Sequence, residues 1–204
     1  MFGNMTKLLI ATGNRGKFTE IMEVLHDLKN FEFISLFDLG IENDVEESGT
    51  TYEENSLLKA RYFFEKTGFM TLAEDSGIEV EALKNELGVK TRRWGAGERA
   101  SDADWLKFFL ERMADEENKH AKFICVPTLI WGSKSDEMVQ FHGETWGAIL
   151  DAPQTEIPYG IPISSVFLPD GAEKVYAALT LQEKNAISHR GKAMHEVKIF
   201  LQLI

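Results

Sequence analysis

Leu8-Leu9-Ile10-Ala11-Thr12-Gly13-Asn14-Arg15-Gly16-Lys17 carries an apolar run straight into a polar, glycine-punctuated turn, and a helix-period pattern follows it. Strand, turn and helix in that order make an α/β unit, so this stretch predicts the fold class. At such a turn the first backbone N–H groups of the helix lack intrahelical partners and carry partial positive charge. A polyphosphate docks there readily, with Lys17 adding a full charge and the two glycines letting the backbone approach closely. The spacing is neither the Walker A pattern nor G-x-G-x-x-G. Two readings stay open from these residues alone. One is a phosphate loop built from Thr12, Gly13, Asn14, Arg15, Gly16 and Lys17; the other is an ordinary polar strand-to-helix turn.

The 204 residues are 44% apolar, enough for one large domain, or two lobes sharing a core, over residues 1–204. A net charge of −11 argues against a general nucleic-acid or anionic-membrane binder, since both need a cationic surface. An anionic small molecule can still bind if the local site is basic or holds a metal. Cys125, the one cysteine, cannot form an internal disulfide and sits in an apolar run, which suits a core position in a reducing compartment. No apolar run approaches the ~20 residues of a membrane span. A cytoplasmic protein is expected.

Outward from the opening stretch, the spacing predicts a strand at 6–11, a helix from Lys17 to about Leu28 and a short strand at Phe33–Ser35. An acidic, turn-rich segment, Asn43–Gly49, precedes a helix from Tyr52 to about Lys66, with Thr51 and Glu54 forming a capping box. A strand at Phe69–Ala73 runs into Glu74-Asp75-Ser76-Gly77, placing these carboxylates at a strand end, where open α/β sheets hold ligands. After a Gly-containing loop at 88–97, Ser101 opens a helix through Met113. Ala121–Trp131 and Glu137–His142 read as a hairpin about the turn Gly132–Asp136, and the Pro-rich stretch 153–169 as irregular. Thr180 and Glu183 cap a short helix, and the last helix runs from about Ser188 to Leu201.

Phosphoanhydride hydrolysis needs cationic neutralisation of phosphate oxygens, carboxylates to hold a metal, and a group that orients water. Glu47 and Asp75, each read in a short loop beside Ser-Gly, are the carboxylates best suited, and hard oxygen ligands favour Mg²⁺. His189 and Arg190, following Ser188 as N-cap, are read as projecting from the first turn of the last helix with donors suited to a base edge. Tyr159 and Trp146 are read as stacking rings or as structural packing. The bland alternatives are solvated acidic loops, a surface His-Arg pair and a solvent-facing Lys184.

In combination these segments resemble a family. Ala11–Lys17, Glu47-Ser48-Gly49-Thr50-Thr51-Tyr52-Glu53-Glu54-Asn55, Lys59-Ala60, Asp75–Val80, Phe141-His142-Gly143 and Glu183–Ala193 match, in order and spacing, the inosine triphosphate pyrophosphatase, or Ham1-like, family. The resemblance spans residues 7 to about 201, with Ile187-Ser188-His189-Arg190-Gly191 and the segment 47–55 its most specific parts. It implies an elongated mixed α/β fold of two lobes around a central cleft, a homodimer, and Mg²⁺-dependent hydrolysis of ITP, dITP or XTP to the monophosphate and pyrophosphate. It implies further that Thr12, Asn14 and Lys17 hold phosphates and that Glu47 binds metal. Asp75 would be the catalytic, metal-binding aspartate, and Ser76 would touch phosphate or sugar. Lys59 would sit among the polar groups of the cleft, while Lys184, His189 and Arg190 would read the base.

Two departures bear on specificity. Glu74 stands where the family usually has aspartate, and the base-stacking Phe-Gly-Tyr/Trp-Asp-Pro motif is absent. Aligned on Phe167 and Pro169, Ile161-Pro162-Ile163-Ser164 lies over it; shifted, Tyr159-Gly160 takes the Phe-Gly place, which keeps a stacking ring and is preferred. Both alignments lose the aspartate. Two alternatives therefore accompany the expected activity: a pyrophosphatase of the same fold with another base preference, and a nucleotide-binding protein without turnover.

Overall fold

The structure, a computed structural model, describes residues 5–42, 45–84, 86–91, 94–96, 100–132 and 134–204. Asn43 and Asp44 of the acidic segment, parts of the 88–97 loop and one residue of the 132–136 turn lie outside the described residues. Strand β1 (Thr6–Ile10) leads to helix α1 (Arg15–Leu25), strand β2 (Phe31–Ser35), helix α2 (Tyr52–Thr67) and the long strand β3 (Met70–Val80). Helix α3 (Asp102–Met113) precedes strands β4 (His120–Ile130), β5 (Met138–Gln140), β6 (Gly143–Ile149) and β7 (Phe167–Pro169). Helices α4 (Leu181–Ile187) and α5 (His189–Leu201) follow. The strands form one mixed sheet in the order β2-β1-β3-β4-β6-β7, with β5 paired to β4, so the α/β expectation holds.

β1 is parallel to both its neighbours. Leu8 and Ile10 pack on one sheet face against Ile21, Val24 and Leu25 of α1 and Met194 and Val197 of α5. Leu9 and Ala11 pack on the other against Ala60 and Phe63 of α2. A strand covered on both faces reads as an unbroken apolar run. A third cluster, centred on Trp105, Phe109, Ile149 and Phe167, fills the half of the sheet beyond β3.

The Ala11 N–H donates to the Leu72 carbonyl at 2.8 Å, and beyond that rung β1 turns away while β3 continues. β3 does not end at Ala73, as its sequence suggests. Ten consecutive residues, Thr71 to Val80, pair antiparallel with Ile130 to Ala121 of β4 and hold Glu74-Asp75-Ser76-Gly77 extended. The carboxylates therefore stand mid-strand rather than in a loop. They still stand beside the C-terminal end of β1, where the chain has connections to either side, the usual place for a ligand in an α/β sheet.

Other local differences have similar causes. α1 starts at Arg15 rather than Lys17 because Asn14 is the N-cap, its Oδ1 accepting the Lys17 N–H at 3.1 Å. Thr51 caps α2, its hydroxyl accepting the Glu54 N–H at 3.1 Å, and the Glu54 carboxylate also receives the N–H and hydroxyl of Thr50. At Thr180 and Glu183 the box is complete. β6 has no apolar signature because its inward positions are Gly143, Thr145, Gly147 and Ile149. Gly143 is required there: a Cβ would lie 2.0 Å from the His189 carbonyl, so glycine lets the start of α5 rest on the sheet. Within the Pro-rich stretch, Pro162–Ser165 makes a 3₁₀ turn and β7 follows.

Candidate active site

A cleft of about 1330 Å³ opens at the C-terminal end of β1, lined by Thr12, Gly13, Asn14, Lys17, Glu47, Lys59, Glu74, Asp75, Ser76, Tyr159, Lys184, His189 and Arg190 among others. Thus residues far apart in the chain converge on one cavity. Arg15 and Gly16 are not among its walls: the Arg15 guanidinium lies 4.4 Å over the Phe37 ring, and Gly16 packs beneath the Tyr159 carbonyl. The polar turn is shaped by its tie across the cleft, Asn14 Nδ2 donating to the Gly160 carbonyl at 2.8 Å and the Gly160 N–H donating to Asp102 at 2.7 Å. Gly160 has φ 76°, and a Cβ there would press on the Asn14 amide at 2.8 Å.

Two ionic groups divide the cleft. In the first, Lys17 Nζ pairs with Glu74 Oε1 at 2.9 Å, Arg190 approaches the same carboxylate at 3.5 Å, and Arg190 and Lys184 both bind the buried Glu20 carboxylate. Arg190 also donates to Ser76 Oγ at 2.9 Å, and Lys184 to Ser164 Oγ at 3.3 Å. Burial alone would raise the Glu74 carboxyl, yet the charges of Lys17, Arg190 and Lys59 outweigh it and hold Glu74 well below the usual range. The Cys125 thiol donates to the other Glu74 oxygen at 3.3 Å, and burial followed by that carboxylate pushes the thiol well up.

In the second group, Lys59 Nζ bridges Glu47 at 2.8 Å and Asp75 at 3.1 Å. Asn55 joins the elements that carry these groups, donating to Asp75 at 3.3 Å while its oxygen accepts the Gly49 N–H at 2.8 Å. Burial raises the Asp75 carboxyl, aided by Glu47 and opposed by Lys59 and Lys17. A carboxyl so poised accepts a proton more readily than an exposed aspartate. Glu47 and Asp75 are hard oxygen donors, and the ammonium between them demonstrates a position favourable to a cation. Among the described residues no cluster of three His, Cys, Asp or Glu groups is suited to a metal.

The Ham1 family pattern matches residues 8–200. The chain belongs to the Ham1 family. It is 38% identical to the dITP/XTP pyrophosphatase of Deinococcus deserti over 92% of this chain and 86% of that one. It is also 38% identical to the dITP/XTP pyrophosphatase of Haemophilus influenzae, over 94% and 97%. The Ham1 protein structure from Coxiella burnetii superposes with a TM-score of 0.83 at 34% identity, covering 98% of this chain and all of that one.

In this Ham1 chain some of the expected site residues stand elsewhere than their sequence context suggests. His189 and Arg190 do not project; both are buried at the base of the cleft. Trp146 is outside it, stacked on His120 at 5.0 Å. Tyr159 lies at the rim, 78% exposed. The anchor the pattern conceals is Glu20. It falls three residues after Lys17 on the same stripe of α1 as the buried Val24, and a carboxylate in an apolar stripe is the signal that marks it. Asn55, Ser164 and Asp102 carry no such mark.

The His189 imidazole stacks on Phe123 at 4.7 Å, and its Nδ1 has no hydrogen-bond partner among the described residues. Burial, then the charges of Arg190 and Lys184, hold its pKa well below the ordinary 6.5. Below pH 6.5 the unfolded chain takes up a proton that the folded one refuses. Its share of stability is thus complete above pH 6.5 and is lost as the pH falls. Urea unfolding between pH 7 and 5 should show His189 contributing up to about 1.4 kcal/mol per pH unit, a slope absent in His189→Phe. Equal slopes in the two proteins would mean the ring is protonated in the fold.

Proposed function

We infer that this chain is a nucleoside triphosphate pyrophosphatase acting on the non-standard purine nucleotides ITP, dITP and XTP, and releasing the monophosphate and pyrophosphate. The observation that carries the reading is the meeting of the Thr12–Lys17 turn with Glu47 and Asp75 in one cleft at the end of β1. Thr12, Gly13, Asn14 and Lys17 receive the triphosphate, Lys17 exchanging Glu74 for phosphate oxygens. Glu47 and Asp75 would hold a divalent ion, Mg²⁺ by the hardness of their oxygens, which would neutralise charge on the phosphates and the leaving pyrophosphate. Asp75 orients a water toward the α-phosphorus and accepts its proton as the bond to the bridging oxygen breaks. Ser76, held by Arg190, faces the phosphate or sugar; Lys59 stands between the two carboxylates. Lys184, His189 and Arg190 form the floor on which the base is read, and Tyr159 at the rim is the ring available to stack on it.

We further propose a single catalytic domain of two lobes, working as a cytoplasmic homodimer. The buried, unpaired Cys125 fits a reducing compartment, and no helix among the described residues is long and apolar enough to cross a membrane. Pyrophosphate release from a panel of ITP, dITP, XTP, ATP, GTP and pyrimidine triphosphates, with Mg²⁺ and with chelator, tests the activity. Release from none of them would leave a nucleotide-binding protein. A second reading, altered base preference, is favoured by one observation: the aspartate of the related motif is lost in either alignment, and Lys184 donates instead to the Ser164 hydroxyl at 3.3 Å. Arg190→Ala should reduce the ITP-to-ATP ratio of kcat/KM by about tenfold, the worth of one charged hydrogen bond. An unchanged ratio would remove Arg190 from base reading.

A further inference from the structure

Among the described residues two ionic groups share the cleft. Lys17, Lys184 and Arg190 surround Glu20 and Glu74, and Lys59 stands between Glu47 and Asp75. The first group directs cations toward a phosphate and the second directs carboxylates toward a metal. Yet both of those carboxylates are already engaged, because the Lys59 ammonium lies within 2.8 Å of Glu47 and 3.1 Å of Asp75. Its side chain is only 5% exposed, and it enters from α2, anchored behind the site rather than from a loose loop.

We propose that Lys59 is a built-in placeholder that competes with the free divalent ion for Glu47 and Asp75, so that metal binds tightly only together with the nucleotide. The inference rests on the metal assignment made under the proposed function. A buried cation at hydrogen-bond distance from both carboxylates repels a second cation entering between them, at a separation where the medium screens little. A triphosphate alters this balance by offering anionic oxygens toward which the ammonium can turn. With Lys59 so drawn off, both carboxylates face the ion, whose remaining coordination positions the phosphates fill. The empty enzyme is thereby spared a site that would hold any passing divalent ion, and its buried carboxylates are never left unpaired.

The test is direct binding of Mn²⁺, followed by electron paramagnetic resonance, to the whole protein without nucleotide and with the non-hydrolysable α,β-methylene analogue of ITP. The wild type should bind Mn²⁺ at least tenfold more weakly without the analogue than with it. Lys59→Met should bind Mn²⁺ alone at least tenfold more tightly than the wild type, and Lys59→Arg, which keeps the charge, should not. The gain should vanish when Glu47→Gln is added to Lys59→Met. If Lys59→Met binds Mn²⁺ alone no better than the wild type, while wild type with the analogue binds it well, the placeholder is overturned and the pyrophosphatase reading stands. If the tightening appears but no triphosphate in the panel is hydrolysed, the placeholder stands and the function falls. Should Lys59→Met fold poorly, the wild-type comparison decides alone: equal Mn²⁺ affinity with and without the analogue overturns the proposal.

Discussion

Asp75→Asn should reduce pyrophosphate release by about 10³-fold or more while leaving nucleotide affinity within a few-fold of wild type. The substitution keeps the volume and one acceptor oxygen of a side chain that is 4% exposed, so the strand should be undisturbed. What it removes is a negative charge and the carboxylate lone pairs that take the proton from water in the proposed reaction. Positioned proton transfer is worth about 10²–10⁴ in rate, and weakening a carboxylate ligand adds to the loss. On the proposed function binding should persist, because the triphosphate would be held chiefly by the Thr12–Lys17 turn and the base by Lys184, His189 and Arg190, all on other elements. Single-turnover kinetics with ITP, together with calorimetric titration using the methylene analogue, separate the two effects. Turnover within tenfold of wild type would reject Asp75 as the proton acceptor, and lost binding would make its role one of substrate affinity.

That prediction depends on a geometry that was only partly legible in the chain. The Leu8–Ala11 run, the Gly13 and Gly16 punctuation and the Tyr52 and Ser101 helix starts are local signals, and local signals fix α1, α2, α3 and the central parallel strands. β3 and β6 were harder for one reason. Glu74-Asp75-Ser76-Gly77 and Gly143-Glu144 have low strand propensity, and their extension comes from ten rungs with β4 and from the close approach of α5, which are distant partners. The carboxylates and cations of the site were readable as types at spacings. Their pairing was not, because it is set by which side chains the fold buries together. Lys17 meets Glu74 rather than Asp75, and Arg190 is turned inward by a glutamate 170 positions away.

That glutamate supplies the largest expected effect on stability. Glu20 is 2% exposed and is the carboxylate shared by Lys184 and Arg190, so Glu20→Ala leaves two buried cations facing each other. Removing one partner from a buried ionic group costs about 3–5 kcal/mol, which for a chain of this size lowers Tm by roughly 10 °C. Burial already lowers the Lys184 pKa against the pull of Glu20, and removing Glu20 removes that pull. In Glu20→Gln, Lys184 should therefore shed its proton in the fold before it does in the unfolded chain. A group depressed in this way contributes stability that is present at high pH and lost as pH falls. Relative to wild type, Glu20→Gln should regain stability as the pH rises from 7 toward 10, as read by urea unfolding at each pH. A pH-independent deficit would mean that the damage is loss of packing. Adding Lys184→Met to Glu20→Leu should restore part of the lost stability, since it replaces one of the two stranded cations by an apolar group while Arg190 keeps Glu74 at 3.5 Å. Such a variant should discriminate ITP from ATP poorly if, as proposed, the ionic cluster holds donors toward the base.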